Sequence, residues 1–227
     1  MQSLNDILKD KRVVLVGPAP YLADQKRGKI IEDYDIVCGL GSLFNLKNED
    51  YGNRIDILFN TANCHWGRDW NKNNFISKNI KYFVGTNKRN KTINSQAFTS
   101  FCDKIKEVSK KKVEFYDLSD YTTLLESKCC NCSIQQARQH DGLHTGSFVI
   151  SYLLSLPIKE LRIEGMTFYN SGKFGYGHNK DYHLDKHYFL TYNSHPALSI
   201  KDEMIFVKNI IKQSKIPVSY DNNYFKI

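Results

Sequence analysis

Apolar runs in this sequence end repeatedly in glycine-containing or polar turns, a pattern that indicates a ligand site at one edge of a parallel sheet. Three such runs are followed by Gly17, by the segment 39–42 and by Asn60. In doubly wound sheets, ligands bind outside the carboxyl ends of the strands. Any one of these turns alone indicates only a loop, and the first lacks the full glycine fingerprint of a dinucleotide site. Their recurrence favours binding, and the candidate residues are Gly17, Gly41, Ser42 and Asn60.

A second candidate site lies where a predicted helix begins. His144-Thr145-Gly146-Ser147 precedes an apolar stripe with helical spacing that ends at Pro157. Free backbone N–H groups and the positive end of the helix dipole make such a start suitable for phosphate. The alternative is a plain Thr or Ser N-cap without a ligand. Thr145 and Gly146 are therefore candidate phosphate contacts.

The elements that must position these residues alternate between strands and helices. The predicted strands cover residues 13–16, 35–38, 55–59, 80–84, 113–116, 161–165 and 218–220. The predicted helices cover residues 23–32, 95–109, 145–156 and 200–214. This alternation argues for a parallel sheet with helices on both faces. We therefore expect an α/β fold, with a single Rossmann-like domain over residues 1–227.

The segment from about residue 168 to 194 breaks this pattern. It is rich in Gly, Tyr, His and Asn and shows neither the strand period nor the helix period. Long segments of this kind in compact domains are usually lids or binding loops, or else disordered. Its many aromatic residues disfavour disorder, so we interpret it as a lid over the site.

Composition limits the partners and the compartment. The formal net charge of +8 suits an anionic ligand such as a nucleotide, an acidic glycan or a lipid headgroup, and no recognisable nucleic-acid-binding motif accompanies it. No apolar run approaches the roughly twenty residues of a membrane span, and the six cysteines lack the spacing of a disulfide scaffold. We expect a soluble, cytoplasmic protein that binds no nucleic acid; peripheral membrane contact and a homo-oligomer stay open.

From about Arg12 to Tyr220, the order of these motifs resembles glycosyltransferase family 42, the small bacterial sialyltransferases that cap lipooligosaccharide. The most specific part is the Thr145-Gly146 helix start, the strand after it and then the segment Gly165–Gly172, GMTFYNSG. The family has a similar Ser-Gly helix, a Gly-x-x-Phe-Tyr-x-x-Gly segment, a Tyr-rich lid and a His that begins the last helix, much as His195 does here. The animal sialyltransferases share a Ser/Thr-Gly helix start and a late His, and are a more distant candidate.

The resemblance implies a GT-A-like domain that transfers sialic acid from CMP-sialic acid with inversion and without a metal. The CMP-sugar would be the donor substrate, a glycan or glycolipid the acceptor, and no cofactor is implied. Thr145 would touch the donor, and Asn60 would bind the cytidine or phosphate region. Tyr169 and Tyr176 would hydrogen-bond the leaving phosphate. His195 would be the general base that takes the acceptor proton.

Three positions depart from the family pattern. The turn 17–21 reads Gly-Pro-Ala-Pro-Tyr where the family has Gly-Asn-Gly-Pro-Ser. Gly39 and Gly41 replace an Arg-x-Asn, and Gly142 stands in place of an Arg. Each change removes side-chain contacts to the nucleotide, although glycine also lets a backbone approach a ligand closely. The alternative function is therefore a catalytically impaired nucleotide- or glycan-binding protein of the same fold.

Two clusters and one motif contain metal-ligating residue types, but their placement disfavours a metal site. Four histidines lie between residues 178 and 195 without a helix to organise them, and the cysteines within 129–132 are spaced too closely to chelate one zinc ion well. Asp33-Tyr34-Asp35 matches the D-x-D motif of metal-dependent glycosyltransferases. It precedes a predicted strand, however, and so belongs to the opposite edge of the sheet. We therefore assign no metal site.

Overall fold

The computed structural model of the chain describes residues 2–41, 47–60, 79–86, 103, 106, 113–118, 145–166 and 200–221. The strands are β1 Arg12–Val16, β2 Ile36–Leu40, β3 Ile57–Asn60, β4 Tyr82–Gly85, β5 Glu114–Asp117, β6 Glu160–Glu164 and β7 Val218–Tyr220. The α-helices are α1 Leu4–Leu8, α2 Gly28–Glu32, α3 Asn48–Tyr51, α4 Thr145–Leu154 and α5 Ile200–Gln213, and a 3₁₀ turn covers Pro20–Leu22. None of the helices in these parts of the chain combines the length and the apolar character that a membrane crossing requires.

The seven strands form one sheet in the order β5-β4-β3-β2-β1-β6-β7, and every neighbouring pair is parallel. The chain builds the sheet outward from β1 to β5 and then returns to add β6 on the other side of β1. The order therefore reverses between β1 and β6, and such a reversal is where open α/β sheets bind ligands. The predicted α/β fold with a parallel sheet is confirmed, and each predicted strand lies within two residues of an observed one.

The core occupies both faces of this sheet. Side chains of β1 alternate between the two faces: Val13 and Leu15 pack in the layer with α1, α4 and α5, whereas Val14 and Val16 pack in the layer with α2 and α3. Because β1 is covered on both faces, its sequence is a continuous apolar run. Burying each such side chain stabilises the fold by about 1.5–3 kcal/mol.

Cys38 on β2 is a free, fully buried cysteine in the α4-side core. Burial raises the pKa of its thiol well above the usual range, so the group stays protonated and packs as a small apolar side chain. The other five cysteines, at 64, 102, 129, 130 and 132, lie outside the described residues.

The helices agree less closely with the sequence prediction than the strands do. α4 and α5 occupy the predicted positions, but α2 begins at Gly28 rather than at residue 23. Asp24 and Lys26 adopt positive φ angles of 65° and 53°, and the Asp50 carboxylate accepts the Lys26 N–H at 2.9 Å. A Cβ at Gly28 would overlap the Asn48 carbonyl oxygen. Close packing against α3 therefore explains why α2 begins at Gly28 instead of at residue 23. The predicted helix 95–109, apart from residues 103 and 106, and the lid 168–194 lie outside the described residues.

The turns that follow β1 and β6 are joined by backbone contacts. The Gly17 N–H donates to the Glu164 carbonyl at 2.8 Å, and the Ala19 N–H donates to the Gly165 carbonyl at 2.9 Å. Gly165 has a φ of +65°, and a Cβ on it would overlap the Gly17 carbonyl oxygen. Only glycine can occupy this position without displacing the β1 turn.

Gly165→Ala is predicted to destabilise the protein more than Gly41→Ala does. Both glycines have positive φ, but a Cβ at Gly41 would meet no atom of the described segments within 4 Å. Gly41→Ala should therefore cost about 1–2 kcal/mol, the ordinary cost of a left-handed conformation. Gly165→Ala should cost about 1–3 kcal/mol more because of the added overlap. Urea unfolding of both variants measures the difference, and equal costs would contradict the proposed steric role.

Candidate functional site

Five of the predicted binding residues meet at the carboxyl edge of the sheet. Gly17 follows β1, Gly41 follows β2 and Asn60 ends β3. The start of α4, with Thr145 and Gly146, lies at the same edge, because a Cβ on Gly146 would contact the side chains of Leu40 at the end of β2 and Met166 after β6. The fold thus brings together residues that are separated by more than 100 positions in the sequence.

The predicted binding residues at this edge differ in how accessible they are to a ligand. Gly41 has a φ of +58°, and among the described residues nothing lies within 4 Å of its Cβ position, so this part of the edge leaves room for a ligand. The Gly17 N–H, in contrast, donates to Glu164 within the protein. Asn60 and Thr145 are partly exposed. Gly146 is partly exposed as well. Gly41, Asn60, Thr145 and Gly146 therefore form the accessible part of this edge among the predicted residues that the structure describes.

Three buried side-chain oxygens within the described residues have no hydrogen-bond partner, and all three lie at this edge. They are Thr86 Oγ1, just after β4, Ser147 Oγ, in the first turn of α4, and Glu164 Oε2, at the end of β6. Leaving a buried polar group unpaired costs about 1–3 kcal/mol, and such groups in native proteins call for an explanation such as a ligand or a water molecule. One buried nitrogen, Arg54 Nε, is also without a hydrogen-bond partner and lies at the opposite edge, 3.2 Å from Asp56 Oδ2. The three oxygens support a polar ligand site at the carboxyl edge.

Thr86 and Ser147 were not among the residues selected from the sequence, although a signal was available for both. Thr86 directly follows Gly85, the residue of β4 that pairs with Asn60, and its N–H donates to the Asn60 carbonyl at 2.9 Å. Ser147 belongs to the same helix start as Thr145 and Gly146. A rule that takes the first polar residue after a buried strand, and not only the residue directly after it, would have selected Thr86.

Glu164 forms a buried ion-pair cluster at the end of β6. Its Oε1 accepts from Arg27 Nη2 and from Arg162 Nε, each at 2.6 Å, and its side chain is only 1% exposed. Arg27 immediately precedes α2, so the cluster ties this helix to the edge of the sheet next to Gly165. Breaking a buried pair of this kind is costly, because the remaining charges stay desolvated.

Tyr21 places a neutral hydroxyl at the same edge. Its phenolic oxygen accepts the Gly165 N–H at 2.8 Å. Burial is the main cause that raises the pKa of Tyr21 to about 12; the Gly165 hydrogen bond opposes this rise, and the nearby carboxylates of Glu164 and Asp221 add to it. The phenol therefore stays protonated at neutral pH and acts as a polar but uncharged group.

The D-x-D segment lies at the amino edge, as the sequence predicts. The Asp35 carboxylate accepts the backbone N–H of Arg12, the first residue of β1, at 2.8 Å, and Asp33 pairs with the Arg12 guanidinium at 3.5 Å. These carboxylates support the fold at the edge opposite to the candidate site. Among the described residues, no cluster of histidine, cysteine or acidic side chains is arranged to hold a metal ion.

No protein-family model matches the sequence, and no curated protein matches it either. The structure is similar to the sialyltransferase CstII from Campylobacter jejuni in complex with the substrate analogue CMP-3FNeuAc, with 15% identity, a TM-score of 0.62, and coverage of 92% of this chain and 81% of that chain. It is similar to CstII in complex with a trisaccharide acceptor and CMP, with 14% identity, a TM-score of 0.58, and coverage of 93% and 84%. It is also similar to a mammalian sialyltransferase in complex with Gal-beta-1-3GalNAc-ortho-nitrophenol, with 12% identity, a TM-score of 0.52, and coverage of 95% and 71%. The likeness is one of fold.

The remaining residues of the predicted site lie outside the described residues. These are Ser42, Tyr169, Tyr176 and His195, together with the lid. Their roles stay predictions that derive from the resemblance to the bacterial sialyltransferases. The resemblance itself is confirmed at the level of fold.

Glu164→Ala is predicted to destabilise the protein by about 3–5 kcal/mol, because it leaves two arginines partly buried without their counter-charge. Glu160→Ala is a matched control on the same strand: Glu160 pairs with Arg12 at 2.9 Å, but it is 35% exposed. That variant should cost less than about 1 kcal/mol. Chemical denaturation of both variants measures the two costs, and a Glu164→Ala cost as small as that of the control would contradict the buried role.

Proposed function

We propose that this protein is a glycosyltransferase of the sialyltransferase type. It moves sialic acid, or a related acidic sugar, from its CMP-activated form to a glycan hydroxyl. The observation that carries the proposal is the meeting of Gly41, Asn60 and the α4 start at one edge of a sheet. Sialyltransferases of bacterial and mammalian origin share that fold over more than 90% of this chain. The similar CstII structures contain CMP or a CMP-sugar analogue.

The start of α4 is the part of the site that fits the donor phosphate. α4 has ten residues, so its first turn has N–H groups without an intrahelical acceptor and carries the positive end of a full helix dipole. The buried, unpartnered Ser147 hydroxyl lies in the same turn. The net charge of +8 favours association with an anionic donor. Thr145, Gly146 and Ser147 therefore form the proposed phosphate contacts, and Asn60, at the same edge of the sheet, is assigned to the cytidine or phosphate region.

The proposed reaction is a single displacement with inversion. The acceptor hydroxyl oxygen forms a bond to the anomeric carbon of the sugar as the bond from that carbon to the CMP phosphate breaks. His195 takes the proton of the acceptor hydroxyl, and CMP leaves with the electron pair. Tyr169 and Tyr176 would donate hydrogen bonds to the phosphate as its negative charge develops. This scheme requires no metal ion, since the phenols and the α4 start stabilise the departing phosphate.

A second candidate function is binding without catalysis. Gly39 and Gly41 stand where the resembling family carries side chains that contact the nucleotide, and the structure leaves open space at Gly41. A protein that kept the fold but lost these contacts would bind a nucleotide or glycan without transferring a sugar. Turnover assays, rather than binding assays, distinguish the two functions.

CMP and CDP are predicted to stabilise the protein more than UMP, GMP or AMP do. A ligand that binds the folded state raises the free energy of unfolding by about 2.7 kcal/mol at one hundred times its Kd. Thermal unfolding with each nucleotide, in the presence of EDTA, measures the effect. Equal shifts for all five nucleotides, or a shift that appears only with added manganese, would remove the CMP-sugar proposal.

His195→Ala is predicted to lower turnover of a CMP-sugar by roughly two to four orders of magnitude, the usual contribution of a general base. Its CMP affinity should change little, because the base contacts the acceptor rather than the nucleotide. His178→Ala, in the preceding lid segment and without an assigned role, is the matched control. If wild-type protein binds CMP but neither transfers nor hydrolyses any CMP-sugar, the binding function replaces the enzymatic one.

A further inference from the structure

Met166 lies behind the accessible part of the site, at the reversal point of the sheet. It follows Gly165, whose φ of +65° turns the chain back over the carboxyl edge. The Tyr21 phenol accepts the Gly165 N–H at 2.8 Å and holds this turn in place. The Met166 side chain is 8% exposed and belongs to the core on the α4 side.

The side chain of Met166 spans two of the predicted binding segments. Its Cγ lies 2.7 Å from the position that a Cβ on Gly17 would occupy, and its terminal Cε would overlap a Cβ on Gly146. The thioether therefore lies directly against both glycines, one in the turn after β1 and the other in the first turn of α4. Leu40 Cδ1, at the end of β2, lies 3.7 Å from the same Cβ position of Gly146, so β2 also packs against this glycine.

We propose that Met166 is a positioning residue for the donor phosphate, because its side chain sets the separation between the Gly17 turn and the first turn of α4. The proposal rests on the proposed function, in which the α4 N–H groups bind that phosphate. Met166 does not touch the ligand itself. It acts through Gly146, whose N–H belongs to the proposed phosphate contacts.

Methionine suits this role because of its length and flexibility. An unbranched side chain with several rotatable bonds fills an irregular gap between two backbones. Leucine has similar volume but no atom at the ε position, so it would keep the contact with Gly17 and lose the contact with Gly146. A methyl group at Gly146 would overlap Met166 Cε, and one at Gly17 would overlap the Gly165 carbonyl oxygen as well as Met166 Cγ. The contact therefore constrains three residues at once: Gly17, Gly146 and Met166.

The test is a double-mutant cycle on CMP binding with Met166→Ala, Gly146→Ala and the combined variant. Met166→Ala should weaken CMP binding by about tenfold, because the first turn of α4 can move into the vacated space. Gly146→Ala should weaken binding in the wild-type background, where its methyl meets Met166 Cε. In the Met166→Ala background the methyl group introduced by Gly146→Ala has room. The fold-loss of CMP affinity in the double variant should therefore be at least about threefold smaller than the product of the fold-losses in the two single variants.

Ile158→Ala is the matched control for lost packing. Ile158 is 5% exposed, it precedes β6 at the amino edge, and its truncation removes as many side-chain heavy atoms as Met166→Ala does. This variant should destabilise the fold to a similar extent but leave CMP affinity within about twofold of wild type. Equal affinity losses in Met166→Ala and Ile158→Ala, or single losses that simply multiply in the cycle, would overturn the positioning role.

Hydrogen exchange of residues 145–150 separates this proposal from the proposed function. If wild-type protein does not bind CMP, the donor assignment fails, and exchange decides the role of Met166. Each variant is measured at the same number of degrees below its own melting temperature. Faster exchange of residues 145–150 in Met166→Ala than in Ile158→Ala then supports the role. Equal exchange in the two variants overturns it.

Discussion

The backbone contact between Gly17 and Gly165 is the constraint on which the candidate site depends. β1 and β6 are neighbours in the sheet although the chain visits four other strands between them. Their pairing continues past the strand ends, where the Gly17 N–H donates to the Glu164 carbonyl. This brings the Gly17 carbonyl against the Cα of Gly165, where no Cβ fits. Because the two turns close on each other, Met166 is directed over the edge and the first turn of α4 packs against it.

The two edges of the sheet satisfy their buried charges differently. At the amino edge, the buried Asp56 carboxylate accepts the Val37 N–H at 2.9 Å and Lys81 Nζ at 2.8 Å. At the carboxyl edge, Glu164 binds two arginines through one oxygen and leaves the other without a partner. Unpaired buried oxygens lower stability, and proteins retain such groups mainly where function requires them. The amino edge therefore stabilises the sheet, and the carboxyl edge carries the features of a site.

Likeness to sialyltransferases of two distant origins shows that this fold tolerates almost complete replacement of its sequence. A shared fold does not by itself imply a shared function. The functional argument therefore rests on the residues at the edge: Asn60 and the α4 start provide polar groups, and Gly41 leaves the backbone open. Within the described residues, the space at Gly41 distinguishes it from Gly17 and Gly165, where an added Cβ would overlap backbone atoms.

The sequence by itself determined the strands, the central helix α4 and the edge at which Gly17, Gly41 and Asn60 meet. It did so because strands buried on both faces must be continuous apolar runs, and because a polar or glycine residue after such a run marks the carboxyl edge. Only the tertiary structure decided where α2 begins, since Gly28 packs against the α3 backbone. It alone also revealed the contacts of Met166 and the pairing of Glu164 with Arg27, residues 137 positions apart. These features depend on which distant segments become neighbours, and local periodicity carries no information about that pairing.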